Sequence, residues 1–219
     1  MKTLLVVATH LEVKPLLDKA EKIGSANALS SYKLMDKEFD VLFTGVGMVV
    51  TSFHLGYVLD STKYNNVINV GIAGSFDKEI PLGTVVEVVE DQFSDVGADN
   101  KGKFLSLIDL GLMNPNDFPY KDGVLSNKQS ILQLTYPKVK AITVNTAHGS
   151  AEAIAKTIKR FSPDVESMEG AAFFYACKFV KIPCIQIRSI SNYVEPRNRT
   201  SWNIPLAIKS LNTAILNLL

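Results

Sequence analysis

Short apolar runs alternate with amphipathic stretches along most of this chain. The runs lie at about residues 3–8, 41–44, 67–72, 84–89, 140–144 and 183–190, are rich in Val, Ile and Leu, and are mostly uninterrupted by polar residues. That pattern predicts strands buried on both faces rather than strands with one wet side. Helices are predicted between them. Residues 11–22 place Leu11, Leu16, Leu17 and Ala20 on one side, and residues 48–61 carry Val49, Val50, Phe53, Leu55 and Val58; residues 150–160, 169–181 and 202–218 complete the set. Alternating strands and helices predict an α/β fold of three layers, α/β/α, around a largely parallel or mixed central sheet.

Residues 91–133 break the rhythm, with Gly97, Gly102, Gly111, Pro115, Pro119 and Gly123 among polar residues and isolated aromatics. They read as a long excursion that overlies either a ligand site or a neighbouring subunit. No repeat, low-complexity tract or linker divides the chain, so one domain over 1–219 is expected.

Composition narrows the partners. With 219 residues and 47% hydrophobic content the chain can bury a sizeable core. Lys and Arg number 23 against 22 Asp and Glu, a net charge of +1, which gives no reason to expect nucleic acid or an anionic membrane. Residues 1–8 resemble a weak signal peptide, but the apolar run ends at His10 and charges follow at Glu12 and Lys14, as in a first buried strand. No apolar stretch approaches the roughly 20 residues of a membrane-spanning helix. Cys177 and Cys184 lack metal-ligand spacing and read as buried free thiols of a reducing cytoplasm. No metal or organic cofactor is expected, and the location expected is cytoplasmic.

In open α/β sheets ligands collect at the carboxyl ends of the strands. Four such places stand out: His10-Leu11-Glu12, Gly45-Val46-Gly47, Gly71-Ile72-Ala73-Gly74-Ser75 and Ser191-Asn192-Tyr193. Each has an ordinary explanation. Glu12 suits a helix N-terminus through the macrodipole, and the glycines suit tight turns. Gly-Val-Gly also lacks the third glycine and later acid of a dinucleotide fingerprint, which argues against a nicotinamide cofactor. The run Glu166-Ser167-Met168-Glu169-Gly170-Ala171-Ala172 is different, because Met168 and Glu169 open a helix that is otherwise strongly apolar through Phe179. A carboxylate there is either a solvated capping charge or an acceptor for two vicinal hydroxyls.

Gly45-Val46-Gly47, Asn69-Val70-Gly71-Ile72-Ala73-Gly74, the stretch from Asp95 to Asp99, Ser167-Met168-Glu169-Gly170-Ala171-Ala172 and Arg188-Ser189-Ile190-Ser191-Asn192 follow one another over nearly the whole chain. In that order they resemble the purine nucleoside phosphorylase and nucleosidase superfamily. The tail from Ser191 to Arg199 is most similar to the futalosine hydrolases, relatives of the methylthioadenosine/S-adenosylhomocysteine nucleosidases that act in a menaquinone route. The resemblance implies that Glu12 activates the attacking water, that Met168 and Glu169 hold the ribose beside Ser167, and that Ala73 and Gly74 approach the base through their backbone. His148 falls where family members carry an aromatic or apolar residue beside the base, or else lies in a surface loop. Arg188 sits either near Glu12 and the water or in a structural ion pair, and Ser191 orients Glu12 or Asn192. Val96, Phe104 and Phe118 are candidates to cover the sugar's 5′ substituent, across a subunit interface if the chain forms a homodimer or higher homo-oligomer.

One position departs from the nucleosidase pattern. Where an acid would protonate the adenine imidazole nitrogen, this chain has Asn192. An amide cannot deliver that proton, but it can donate to the adjacent carbonyl oxygen and imidazole nitrogen of a 6-oxopurine. The expected partner is therefore a small purine nucleoside, with hypoxanthine favoured as the leaving base. For the nucleophile, the arginines are Arg160, Arg188, Arg197 and Arg199, with none before residue 160. Phosphorylases grip phosphate with guanidinium forks, so water is the better fit. The alternatives are a methylthioadenosine/S-adenosylhomocysteine nucleosidase, a phosphate-dependent phosphorylase, separated by phosphate dependence, and a silent nucleoside-binding protein, separated by turnover.

Overall fold

A computed structural model describes residues 2–59, 63–128 and 134–219. Its strands are β1 (Lys2–Val7), β2 (Glu21–Ala26), β3 (Leu29–Leu34), β4 (Lys37–Phe43), β5 (Tyr64–Ser75), β6 (Val85–Asp91), β7 (Gly97–Asn100), β8 (Lys103–Ser106), β9 (Leu125–Ser126), β10 (Lys138–Thr143), β11 (Val165–Ser167) and β12 (Cys184–Tyr193). The helices are α1 (His10–Leu17), α2 (Met48–Val58), α3 (Ala151–Phe161), α4 (Gly170–Phe179) and α5 (Ile204–Leu218). Residues 60, 61 and 129–133, the tails of two expected segments, lie outside the described residues.

The strands form a mixed sheet in the order β11-β10-β6-β12-β5-β1-β4-β3-β2, with β9 beside β6. β11 also pairs with β5, so β5, β12, β6, β10 and β11 close into a ring. The central strands are buried on both faces, which is why they read as continuous apolar runs. In β1, Leu4 and Val6 join one core with Leu55 of α2 and Phe173 and Phe174 of α4. Leu5 and Val7 join the other, with Val13 and Leu16 of α1 and Leu211 and Ile215 of α5. These are the three expected layers. Full burial of each Phe or Leu contributes about 1.5–3 kcal/mol.

Two expectations fail locally. The first helix ends at Leu17 instead of continuing to 22. Pro15 lacks an amide proton, and the side chain of Asn212 in α5 accepts from Leu16 N at 2.9 Å and donates to Glu12 O at 2.8 Å, the pair that an unbroken helix would join directly. Beyond Leu17 the chain is drawn into β2, which pairs antiparallel with β3. β2 is largely exposed, and β3 mixes Leu29, Tyr32 and Leu34 with three polar residues, so neither wrote an uninterrupted apolar run.

Residues 91–128 of the excursion do not line the cavity described below. Its β7–β8 hairpin stands apart from the main sheet, Phe118 packs on Phe179 and Tyr120 on Tyr175 of α4, and Phe104 lies under Arg160. Within one chain Val96, Phe104 and Phe118 therefore lie away from the site. Cys177 and Cys184 are buried free thiols. No helix among the described residues is long and apolar enough to cross a membrane.

Gly170, at the start of α4, faces the buried side chains of Asp91 and Gln186 so closely that a β-carbon would collide with both. Gly170→Ala is expected to destabilise the fold by about 1–3 kcal/mol, read as a lower urea midpoint at unchanged m-value. An unchanged midpoint would contradict this packing.

Candidate active site

Strands β1, β5, β11 and β12 and the start of α4 surround a cavity of about 350 Å³, within the range of small-molecule sites. Glu12 lies on one wall, in the third position of α1. Its Oε2 accepts from Thr9 N at 2.9 Å and Thr9 Oγ1 at 3.0 Å, and its Oε1 accepts from Ile72 N at 3.1 Å. The helix-start explanation and the functional one thus coexist: the reciprocal capping contact holds the carboxylate at the cavity edge, where it is 8% exposed.

Glu169 stands opposite, immediately before α4. Its Oε1 accepts from Gly47 N at 3.0 Å. Gly47 has φ of 105°, a backbone open to glycine and costly for other residues, so the Gly-Val-Gly turn aims an amide at a carboxylate instead of a nucleotide phosphate. Burial pushes the Glu169 carboxyl above its usual 4.5; the charge of Arg188 opposes this and that of Glu12 adds to it. Ser167 and Met168 line the cavity beside it.

Arg188 does not line the cavity. It is buried behind Gly71, where an added β-carbon would come 2.9 Å from Glu12 Oε1 and 3.3 Å from Arg188 Nη1. Its Nη1 donates to Ile187 O at 3.2 Å, and its Nη2 to Gln186 Oε1 at 3.1 Å and to Asn69 Oδ1. Among the described residues it makes no direct ion pair. Its charge instead offsets three surrounding carboxylates, Glu169, Glu12 and Asp91. Asp91 is wholly buried, accepts from Gln186 Nε2 and Thr143 Oγ1 at 2.9 Å each, and is pushed up to about 6 by burial. Arg188 thus stands close to Glu12, as expected, without lining the cavity.

The far end is built on a bulge. The pairing of β12 with β5 slips between Ile190 and Asn192, which turns Ser191 aside. Ser191 Oγ donates to Asn192 Oδ1 at 2.8 Å and lies 3.2 Å from Ala73 O, while Asn192 Nδ2 donates to Tyr193 O at 3.1 Å. Asn192 is the partner Ser191 orients. With its oxygen satisfied, the amide keeps one N–H for the cavity. Ala73 and Gly74 form the floor. His148, in the loop between β10 and α3, also lines the cavity, with its Nδ1 2.6 Å from Glu166 Oε2 and its Nε2 2.8 Å from Thr157 Oγ1.

Sequence reasoning passed over Thr9, Asp91, Gln186 and Trp202, and quoted Glu166 without a role. Thr9 three residues before Glu12 is a readable capping signal; Asp91 and Gln186 carry none, since their meeting depends on strand pairing.

The family model described as "Phosphorylase superfamily" matches residues 2–219. The chain belongs to that family. It is 27% identical to a futalosine hydrolase of Streptomyces coelicolor over 184 residues, covering 81% of this chain and 77% of the relative. It is also 27% identical to a 5′-methylthioadenosine/S-adenosylhomocysteine nucleosidase of Colwellia psychrerythraea over 236 residues, covering 100% and 96%. The crystal structure of the Colwellia nucleosidase in complex with adenine superposes with a TM-score of 0.80 at 23% identity, covering 100% of this chain and 94% of that one. These relatives support a nucleosidase and match both kinds equally well. The choice between them rests on residues in the cavity.

Proposed function

We propose that this chain hydrolyses the N-glycosidic bond of futalosine, releasing hypoxanthine and dehypoxanthine futalosine in menaquinone biosynthesis. The observation that carries this reading is that the cavity is lined by the amide of Asn192, at the position where a carboxylic acid would be needed to protonate adenine.

Cleavage passes through an oxocarbenium-like sugar, so positive charge on the ribose and negative charge on the departing base must both be stabilised. Glu12 takes a proton from water as the oxygen attacks C1′. Glu169 accepts hydrogen bonds from the ribose 2′ and 3′ hydroxyls, and its charge favours the cationic sugar. The base leaves with its electron pair, spread over the imidazole nitrogen and the 6-oxygen, where the Asn192 amide donates. Arg188 offsets the mutual repulsion of Glu12 and Glu169 without entering the cavity.

Water as nucleophile is supported by two facts. No arginine precedes residue 160 to grip a phosphate, and the Glu12 carboxylate at the attacking position would repel one. Homo-oligomerisation, part of the same reading, is supported by exposed apolar side chains on α2, with Val49 75%, Phe53 71% and Tyr57 76% exposed.

The deciding experiment is a phosphate-free hydrolysis panel of futalosine, aminofutalosine, inosine and methylthioadenosine. Futalosine is expected to be cleaved fastest. Strict phosphate dependence, or a preference for methylthioadenosine, would overturn the proposal. Asn192→Asp is expected to move preference at least tenfold towards the 6-amino substrates, since the new carboxyl can act as general acid; an unmoved ratio would remove Asn192 from base selection.

A further inference from the structure

Asp91 and Gln186 are wholly buried, do not line the cavity, and take no part in the mechanism above. Asp91 ends β6, and Gln186 lies in β12, which pairs antiparallel with β6. The start of α4 rests on both of them. Gly170 makes that approach possible, since a β-carbon there would collide with Asp91 Oδ2 and Gln186 Oε1 together. A buried charge in such a place needs partners, and its partners lead to both halves of the site.

On one side Gln186 Nε2 donates to Asp91 Oδ2 at 2.9 Å, and the other end of the same amide, Oε1, accepts from Arg188 Nη2 at 3.1 Å. The carboxylate decides that orientation, because an amide oxygen turned to it would meet only another acceptor. Among the described residues Arg188 Nε has no partner. The guanidinium therefore hangs on its two terminal nitrogens, and Gln186 Oε1 is one of the three acceptors they reach. On the other side Thr143 Oγ1 donates to Asp91 Oδ1 at 2.9 Å and accepts from Ala171 N at 2.7 Å. Ala171 stands in the first turn of α4, two residues after Glu169. One buried carboxylate thus orients both Arg188, close to Glu12, and the helix start that follows Glu169.

The charge matters as well as the contacts. A guanidinium behind the wall opposes positive charge building on a sugar in the cavity, and it weakens a neighbouring carboxylate as a base. Of the three carboxylates that offset Arg188, namely Glu169, Glu12 and Asp91, only Asp91 does not line the cavity. We infer that Asp91 is a positioning residue for glycosidic cleavage: through Gln186 it holds Arg188 close to Glu12 and balances its charge, and through Thr143 it holds the turn that follows Glu169. The inference rests on the nucleosidase reading and assigns Asp91 no contact with substrate.

Asp91→Asn tests it by removing the charge at nearly constant shape. Two donors, Thr143 Oγ1 and Gln186 Nε2, then converge on a single acceptor oxygen, so one must turn away, and in either arrangement the anion is gone. The assay uses the purine nucleoside that the unaltered protein cleaves fastest, at about pH 8, where Asp91, pushed up to about 6 by burial, is ionised. There kcat is expected to fall about 10- to 100-fold, the scale on which misplacement away from the reacting atoms acts, while KM stays within about threefold. The double variant Asp91→Asn/Gln186→Glu reverses the order of donors and acceptors: the new carboxylate accepts from Arg188 and from the new amide, whose oxygen accepts from Thr143. It should bring kcat back to within about threefold of the unaltered protein's. A residue that served folding alone would lower Tm and leave kcat per folded molecule unchanged. A kcat of Asp91→Asn within about threefold of the unaltered protein's, or a double variant no faster than the single one, would overturn the inference. If Asp91→Asn does not fold, Gln186→Met keeps the charge and cuts the link to Arg188; kcat should again fall at least about tenfold at constant KM, and an unchanged kcat would overturn the inference. An unaltered protein that cleaves no purine nucleoside sinks the nucleosidase reading and this one with it, whereas an active protein with indifferent variants sinks this one alone.

Discussion

Glu12→Gln is expected to lower turnover at least 100-fold while the nucleoside still binds. General-base assistance is worth on the order of 100- to 10,000-fold, and an amide cannot take the proton of the attacking water. The substitution nearly preserves shape, so the ribose and base contacts across the cavity stay in place and calorimetric affinity should change by less than tenfold. A structural cost accompanies it. Both oxygens of Glu12 accept hydrogen bonds, from Thr9 on one side and Ile72 N on the other, so the amide must turn a donor towards a donor on one of them. That loss is worth about 1–2 kcal/mol, or a Tm lower by about 2–8 °C in a chain of this size. Turnover should fall far more than folded fraction. Activity within tenfold of the parent, with intact circular dichroism, would remove Glu12 from the chemistry.

Glu169→Gln carries the second large effect, a fall in kcat/KM of about 100- to 1,000-fold, since two charge-assisted hydrogen bonds to vicinal hydroxyls weaken together at about 1.5–3 kcal/mol each. The same residue sets the acid limb. Burial raises the Glu169 carboxyl above 4.5, and the hydroxyls need its ionised form, so kcat/KM should fall as pH drops through a value above the ordinary carboxylate range. Glu169→Gln should flatten that limb.

Acid inactivation of this kind is not unfolding, and the sign shows why. For Glu169, and for Asp91 at about 6 against an ordinary 3.8, the folded state binds protons more readily than the unfolded chain. Stability from these two groups is therefore lower above the folded value and recovers as pH falls towards the unfolded one. Circular dichroism should remain native where activity is already declining; coincident loss of both would contradict the assignment.

Much of the architecture was legible because burial on both faces writes continuous apolar runs into β1, β5, β6 and β12. The β2–β3 hairpin was illegible for the converse reason: β2 is an exposed edge strand, which needs no apolar pattern to pair, and polar residues interrupt β3. Glu12, Glu169 and Asn192 stand at strand ends or helix starts, where a polar group is noticed, but their expected roles came from the family resemblance. Glu166 could not be given a role that way. Its place beside the cavity depends on sharing a register row with Gly74 and Asn192, and the three are separated in sequence by 92 and 26 residues.

The sequence by itself determined the three-layer α/β class, the donor amide of Asn192 and the want of early arginines, because each is a matter of residue type and local periodicity. Only the tertiary structure decided that Arg188 stands behind the cavity wall, that Phe118 and Tyr120 of the excursion pack on α4, and that His148 and Glu166 are joined beside the cavity. Those facts follow from which strands pair and where the pairing slips, and a slip of one residue turns a side chain from one face of a sheet to the other.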